Sequence, residues 1–336
     1  MPLAGGDSLF LSNCPRSTGH VPAGLPARRK IVSTSVESAQ NIPDDGHWLR
    51  PDQRGSLMLT AHIFSRPFVV AAGRLLVAIL LGPGLSAQAQ RPPQGPMSPT
   101  RHTPEEMGYE LVWQDDFDGN TLDATKWAVR GVGPRNLGFV SPEAVSVTNG
   151  FLKLSALKKD GRILLGAVGT ENRFMARYGY FECRAQLQKS PGIWAAFWIQ
   201  SPLISAGEDP AVYGAEIDIM EFFKKLGPDI VSHNVHWAYG PHQQTTRGMQ
   251  SHRPGVSEGF HTFAVEWTPE KYVFLVDGYR YYEVTAGISH IKEYLILSME
   301  IPSNPDEIKH TVFPDEFVVD YVRVYQRKTN AGTAGP

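Results

Sequence analysis

Two cysteines in 336 residues exclude a disulfide-stapled fold. Cys14 lies ahead of a segment read below as a secretory signal, which would leave Cys183 alone and no intrachain bridge possible. The fold must then be held by a hydrophobic core, which a chain of this length can build. Cys183 sits in a strand-like run with no basic neighbour in sequence, the setting of a packed thiol and not a reactive one. Charge of one sign is also scarce. A formal net charge of −2 gives no basic surplus to attract nucleic acid or an anionic membrane. Long apolar runs are missing too. The longest candidate, Leu75–Leu81, is bounded by Arg74 and by Gly82-Pro83-Gly84, short of the roughly 20 residues a membrane span requires. Finally, no segment of ten or more residues carries a clear helical stripe, which argues against helical and α/β classes.

What the chain does have divides it unevenly. Residues 1–57 show no period of 2 or 3.6 and are rich in Gly, Pro and Ser. Residues 58–89 place Arg66 and Arg74 before an apolar stretch and end on Ala87-Gln88-Ala89, the layout of a secretory signal cut near Ala89. Two readings of the leader stay open: upstream sequence ahead of a true start at Met58, or a real extension. Residues 90–108 are Pro-rich and read as a linker or arm. From Tyr109 the texture becomes short β-type runs. Asn149-Gly150 joins AVSV to FLKLSA and Asp277-Gly278 joins YVFLV to YRYYEV, with Asp160-Gly161 a weaker third case. Each pair suits a two-residue hairpin whose central residues both need positive φ. The expected fold is an all-β, antiparallel two-sheet sandwich or jelly roll over 109–327, followed by a tail at 328–336.

The segment Gly214-Ala215-Glu216-Ile217-Asp218-Ile219-Met220-Glu221-Phe222 carries the chemistry. On a regular strand Glu216 and Asp218 share one face and Ile217 and Ile219 the other, so alternation sends Glu221 to the apolar face. Burying a lone carboxylate there is very costly. One extra residue, a β-bulge around Ile219-Met220, returns Glu221 to the acidic face. Glu216 and Glu221 then stand about 11–13 Å apart at Cα, at about 3.3 Å per residue. Their side chains, leaning inward, can bring the carboxyl groups to the about 5–5.5 Å that suits retaining glycoside hydrolysis. Crowded acids cannot all ionise easily, so at least one pKa should rise and supply a protonated acid. An acidic solvent-facing edge and a calcium site are the competing readings.

Five segments in order give this a sharper form: YELVWQDDFDGNTLDATKW (109–127), YGYFECRAQLQKSPGIWAAFWIQ (178–200), GAEIDIMEFF (214–223), FHTFAVEWTPEKYVFLVDG (260–278) and VVDYVRVYQ (318–326). Together they resemble glycoside hydrolase family 16, the group of laminarinases, agarases, carrageenases and lichenases. The resemblance implies a jelly roll with a sugar cleft across a concave sheet, with Glu216 as nucleophile, Asp218 as its orienting helper and Glu221 as general acid/base. The E-x-D-x-x-E spacing is the bulged form of laminarinases and red-algal galactanases. Lichenases and xyloglucan transglycosylases usually have the unbulged one. The stretch Pro210–Ala215 departs from the Trp-Pro step and preceding Gly usual in laminarinases, so β-1,3-glucan and marine β-galactan both stay open as substrates.

Alternation puts Trp194 and Trp198 on one strand face, where indoles can floor a sugar cleft, although one of them could instead pack in the core. His233 and His236 have metal-pair spacing but face oppositely, which argues against a shared zinc. His236 resembles a cleft histidine of the family, with a structural histidine the alternative. Arg173 and Glu300 are further substrate-contact candidates. Asp320, with backbone oxygens near Gly150, matches a structural calcium site of the family, although Asp320 could equally cap a turn. No cofactor is expected for catalysis. The expectation is a secreted, monomeric enzyme whose partner is a polysaccharide, with transglycosylation and lectin-like binding as alternatives.

Overall fold

The computed structural model describes residues 92–328. The leader 1–57, the signal segment 58–89 and the tail beyond 328 lie outside the described residues. Among those described, no helix is long and apolar enough to cross a membrane. Among the same residues helix is confined to Pro210–Tyr213 and three short 3-10 turns.

The hairpins fall where turn chemistry places them. Asn149 and Gly150 have φ of 54° and 77°, Asp160 and Gly161 49° and 74°, Asp277 and Gly278 51° and 75°. Each pair closes a two-residue loop, with Thr148 opposite Phe151, Lys159 opposite Arg162 and Val276 opposite Tyr279. Left-handed backbone at both positions matches the twist of the flanking strands, and Asn or Asp before Gly tolerates it best.

All three hairpins lie in the larger of two sheets. One has 11 strands and runs, along its main path, Tyr279–Val284, Tyr272–Val276, His261–Trp267, Gly179–Gln186, Asp315–Arg327, Phe151–Lys159, Arg162–Leu165, Gly138–Val140 and Gly133–Arg135. The other has eight, with Ile230–Trp237, Glu216–Glu221, Trp194–Gln200 and Tyr294–Glu300 as its centre. Pairing between the strands described is antiparallel except between Gly138–Val140 and Arg162–Leu165. Phe151–Lys159 buries alternate residues, as the pleat requires, whereas central strands such as Tyr272–Val276 and Tyr294–Glu300 are buried on both faces. Leu152, Leu154 and Ala156 from the larger sheet and Phe197, Ile217 and Leu297 from the smaller one meet in one continuous core. Cys183 is wholly inside it, and burial pushes its thiol well up.

The Pro-rich stretch, where described, follows the domain. Gln94 N donates to Gln250 O at 2.7 Å, Met97 N to Arg280 O at 2.8 Å and His102 N to Gly278 O at 2.8 Å.

Candidate active site

The strand Glu216–Glu221 is bulged where the acidic pattern demands it. Asp218 lies opposite Asn234, but Glu221 lies opposite Ser232, so three steps on one strand match two on the other. On its other edge Asp218 pairs with Trp198 and Met220 with Phe197, which leaves Ile219 as the extra residue. The reason is energetic. The bulge lets Ile217, Ile219, Met220 and Phe222 all enter the core, fully buried. Each such side chain contributes roughly 1.5–3 kcal/mol. An unbulged strand would instead turn Met220 outward and drive the Glu221 carboxyl between the sheets.

The result is a cleft of about 290 Å³ on the outer face of the eight-stranded sheet. Glu216, Asp218 and Glu221 line it, together with Trp194, Trp198, His236 and Glu300. Glu221 accepts from Trp194 Nε1 at 3.1 Å and from Asn234 Nδ2 at 3.2 Å. Glu216 accepts from Gln200 Nε2 at 2.6 Å. The orientation of that amide is set from behind: Gln200 Oε1 accepts from Arg130 at 2.6 Å and from the Tyr294 hydroxyl at 2.9 Å, so its NH2 must face Glu216. Tyr239 lines the same cleft beside Glu216. His236 Nε2 lies 3.1 Å from Asp218 Oδ2, close enough to hold one proton between them.

Electrostatics separate the acids. The Glu221 carboxyl is pushed up to about 8, first by burial and then by the charge of Asp218, against the opposing hydrogen bonds of Asn234 and Trp194. Asp218 is held well above the usual carboxylate range by burial, then by Glu216 and Glu300. The same crowding lifts the Tyr239 phenol, through burial and the adjacent Glu216. A proton-bearing acid therefore faces a hydrogen-bonded carboxylate across one groove, an arrangement able to protonate a leaving oxygen and attack the carbon behind it.

The sequence profile described as Glycosyl hydrolases family 16 matches residues 139–332. The chain belongs to that family. It is 32% identical over 245 residues to a β-glucanase of Rhodothermus marinus, covering 65% of this chain and 85% of that protein. A glucan endo-1,3-β-glucosidase A1 of Niallia circulans is 27% identical over 273 residues. That match covers 67% of this chain but only 39% of the longer protein. The laminarinase catalytic domain of Thermotoga maritima superposes with a TM-score of 0.54 at 27% identity, over 66% of this chain and 99% of that domain. The protein is thus a family 16 glycoside hydrolase with the jelly-roll sandwich of the laminarinases.

In this family 16 cleft, some residues singled out above stand otherwise than expected. Arg173 is not among the cleft-lining residues. It is exposed, and its guanidinium donates to the carbonyls of Ala124 at 2.8 Å and Glu171 at 3.2 Å, so it braces a loop. Glu300 does line the cleft, but both its oxygens are taken by Arg135, at 2.5 and 2.9 Å. Trp198 faces the cleft with its ring covered by the Arg130 guanidinium, 4.9 Å from the ring centroid, while Trp194 lies against Phe223. Asp320 follows Val319, which pairs with Leu152 just beyond the Asn149-Gly150 turn, but Arg184 Nη1 sits 2.5 Å from its Oδ2. That guanidinium already supplies the positive charge a calcium ion would bring. As arranged, the Asp320 carboxylate is engaged by Arg184. Among the described residues the one cluster with metal-ligand spacing is Glu216, Asp218 and His236, whose ligand atoms lie within 4.8 Å of one another; all three line the cleft itself.

Sequence reading missed Arg130, Arg135, Gln200 and Tyr239. Gln200 was within reach, since it follows Trp198 by two on the same strand face. The arginines come from Arg130 and the short strand Gly133–Arg135, where no periodicity marks a direction.

A further acid lies beneath the site. Glu293 is fully buried, accepts from Ala215 N at 2.7 Å through Oε1, and among the described residues has no hydrogen-bond partner for Oε2. Gly214, with φ of 78°, permits this approach, because a Cβ there would fall 2.5 Å from Glu293 Oε1 and 2.3 Å from Ser201 Cβ. Burial pushes the Glu293 carboxyl up to about 8 from its ordinary 4.5. Between those values the unfolded chain has released a proton that the folded one keeps, so stability falls as pH rises through that window. Glu293→Gln, which mimics the protonated acid, is expected to match the parent near pH 5 and to melt about 5 °C or more higher near pH 8. Thermal melts across pH check this; a difference independent of pH would contradict it.

Proposed function

We propose that this family 16 enzyme is a secreted, retaining endo-hydrolase of β-1,3-linked glucan. The observation that carries the reading is the pairing of a protonated Glu221 with a donor-held Glu216 in one cleft. In the first step Glu216 attacks the anomeric carbon while Glu221 gives its proton to the departing glycosidic oxygen, leaving a glycosyl ester on Glu216. In the second, Glu221, now ionised, takes a proton from water, whose oxygen attacks the anomeric carbon and frees Glu216. Asp218, adjacent to Glu216 and linked to His236, orients the nucleophile. Glucan as substrate is supported by the names of the relatives, and secretion by the 58–89 segment.

The cations Arg130 and Arg135 on the cleft wall favour a second reading, a sulfated or otherwise anionic β-galactan. A reducing-sugar assay over laminarin, lichenan, agarose, porphyran and carrageenan separates the two. We expect laminarin to yield mixed-length oligosaccharides early, with the β anomer first by NMR. Cleavage of carrageenan or porphyran alone would replace the glucan reading, and an α first product would end the retaining one. Transfer to an added sugar acceptor would mark a transglycosylase, and binding without any product a lectin.

A further inference from the structure

A β-bulge frees a stretch of backbone from the ladder, and something must hold it in one conformation. Pairing between Glu216–Glu221 and Ile230–Trp237 is interrupted between Asp218 and Glu221, so the Ile219 carbonyl has no ladder partner on that side. It is met instead by a side chain of the neighbouring strand. His233 Nδ1 lies 2.6 Å from Ile219 O, and its Nε2 lies 2.7 Å from Ser251 Oγ. The ring is fully buried, packed against Phe274 and Tyr282 of the opposite sheet at 5.1 and 6.1 Å between centroids.

The chemistry of these contacts defines the ring's state. A carbonyl can only accept, so Nδ1 must carry the hydrogen. Burial pushes the imidazole down to about 4, so it is neutral at working pH and Nε2 is an acceptor. Ser251, also fully buried, then donates its hydroxyl hydrogen to Nε2. The strand Met249–His252 that carries Ser251 pairs with Ile230–Trp237, with Ser251 opposite Val231 and Met249 opposite His233. One chain of hydrogen bonds thus runs from Ser251 through His233 to the bulge, two residues before Glu221.

We propose that His233 is a positioning residue: its Nδ1–H pins the Ile219 carbonyl and so holds the bulge that aims Glu221 into the cleft. This rests on the reading of Glu221 as general acid/base. His233 touches no substrate and acts only through the backbone. Its value to the reaction is angular, since a misplacement of about 1 Å in a reacting group can cost about 100-fold.

The test compares three variants in the full chain. His233→Leu removes the donor while filling much of the space. His233→Asn restores it, because the Asn amide nitrogen stands where Nδ1 stood. Ser251→Ala leaves the ring in place but releases its Nε2. Two quantities are read: kcat and KM on laminarin, and the titration midpoint of the Glu221 carboxyl by carbon NMR. For His233→Leu we expect kcat to fall about 10- to 100-fold with KM little changed. The Glu221 midpoint should move down from about 8 as the loosened bulge lets water in. His233→Asn should recover most of both, and Ser251→Ala should show a several-fold loss in the same direction. If His233→Leu does not fold, Ser251→Ala decides. The proposal is overturned by a folded His233→Leu, or failing that Ser251→Ala, with parental kcat and an unmoved Glu221 midpoint. It is equally overturned by a folded His233→Asn as impaired as the leucine variant. Should the parent cleave no glycan at all, the functional reading fails, while the carboxyl titration still judges the role of His233.

Discussion

Glu216→Gln is expected to lower hydrolysis by roughly 10⁴-fold or more, with KM changed only a few-fold. The substitution keeps the shape of the side chain and removes its capacity to form a glycosyl ester. It also changes the local hydrogen bonding in a defined way. Gln200 presents NH2 to Glu216 Oε2 at 2.6 Å, fixed by Arg130 and Tyr294 behind it. The new amide must therefore offer its oxygen to Gln200, which leaves its NH2 toward Tyr239 and the other acids. The cleft and its aromatic floor are otherwise preserved, so glucan should still bind. A smaller variant, Glu216→Ala, separates the nucleophile from a merely structural acid. With room opened at the anomeric carbon, added azide should attack in its place and release an α-glycosyl azide from a β-linked substrate. A variant that retains a tenth of parental activity, or an azide product of β configuration, would remove Glu216 from the nucleophile's role.

The assignment of that strand could be read from the chain because two physical constraints collide within six residues. Apolar Ile217 and Ile219 demand the core, and Glu221 cannot join them, so a bulge is the only local solution that satisfies both. The hairpins were legible for a similarly local reason: Asn-Gly and Asp-Gly pairs tolerate positive φ at both centres. Groups that assemble from distant segments were not legible. Arg135 reaches Glu300 across 165 residues of chain, and neither sits in a pattern that announces the other. Arg173 was a candidate for substrate contact, but after Gly169 the backbone turns at Thr170 and carries the guanidinium to Ala124 O. His233 and His236 have metal-pair spacing, but strand alternation already set them on opposite faces. Pleating sends His236 to the cleft and His233 to the core, where it serves the bulge.

Glu221→Gln is the complementary test, because it should separate two steps that Glu216→Gln abolishes together. A general acid contributes most where the leaving oxygen is a poor one. Loss of Glu221 should slow cleavage of a polysaccharide by about 10²–10⁴-fold. An aryl β-glycoside whose phenol leaves without a proton should form the glycosyl-enzyme at nearly the parental rate, then wait for an unassisted water. A burst of phenol followed by slow turnover is the expected trace. The pH profile adds a second sign. In the parent, Glu221 must carry its proton, and burial together with Asp218 keeps it there up to about 8. The value of kcat/KM should therefore hold through neutrality and fall as pH rises through about 8, whereas an ordinary carboxylate would already have lost its proton near 4.5. Glutamine does not titrate, so the variant should lack that alkaline fall. If the fall persists in Glu221→Gln, or the aryl glycoside suffers as much as the polysaccharide, the proton comes from another group and Glu221 does not act as the acid.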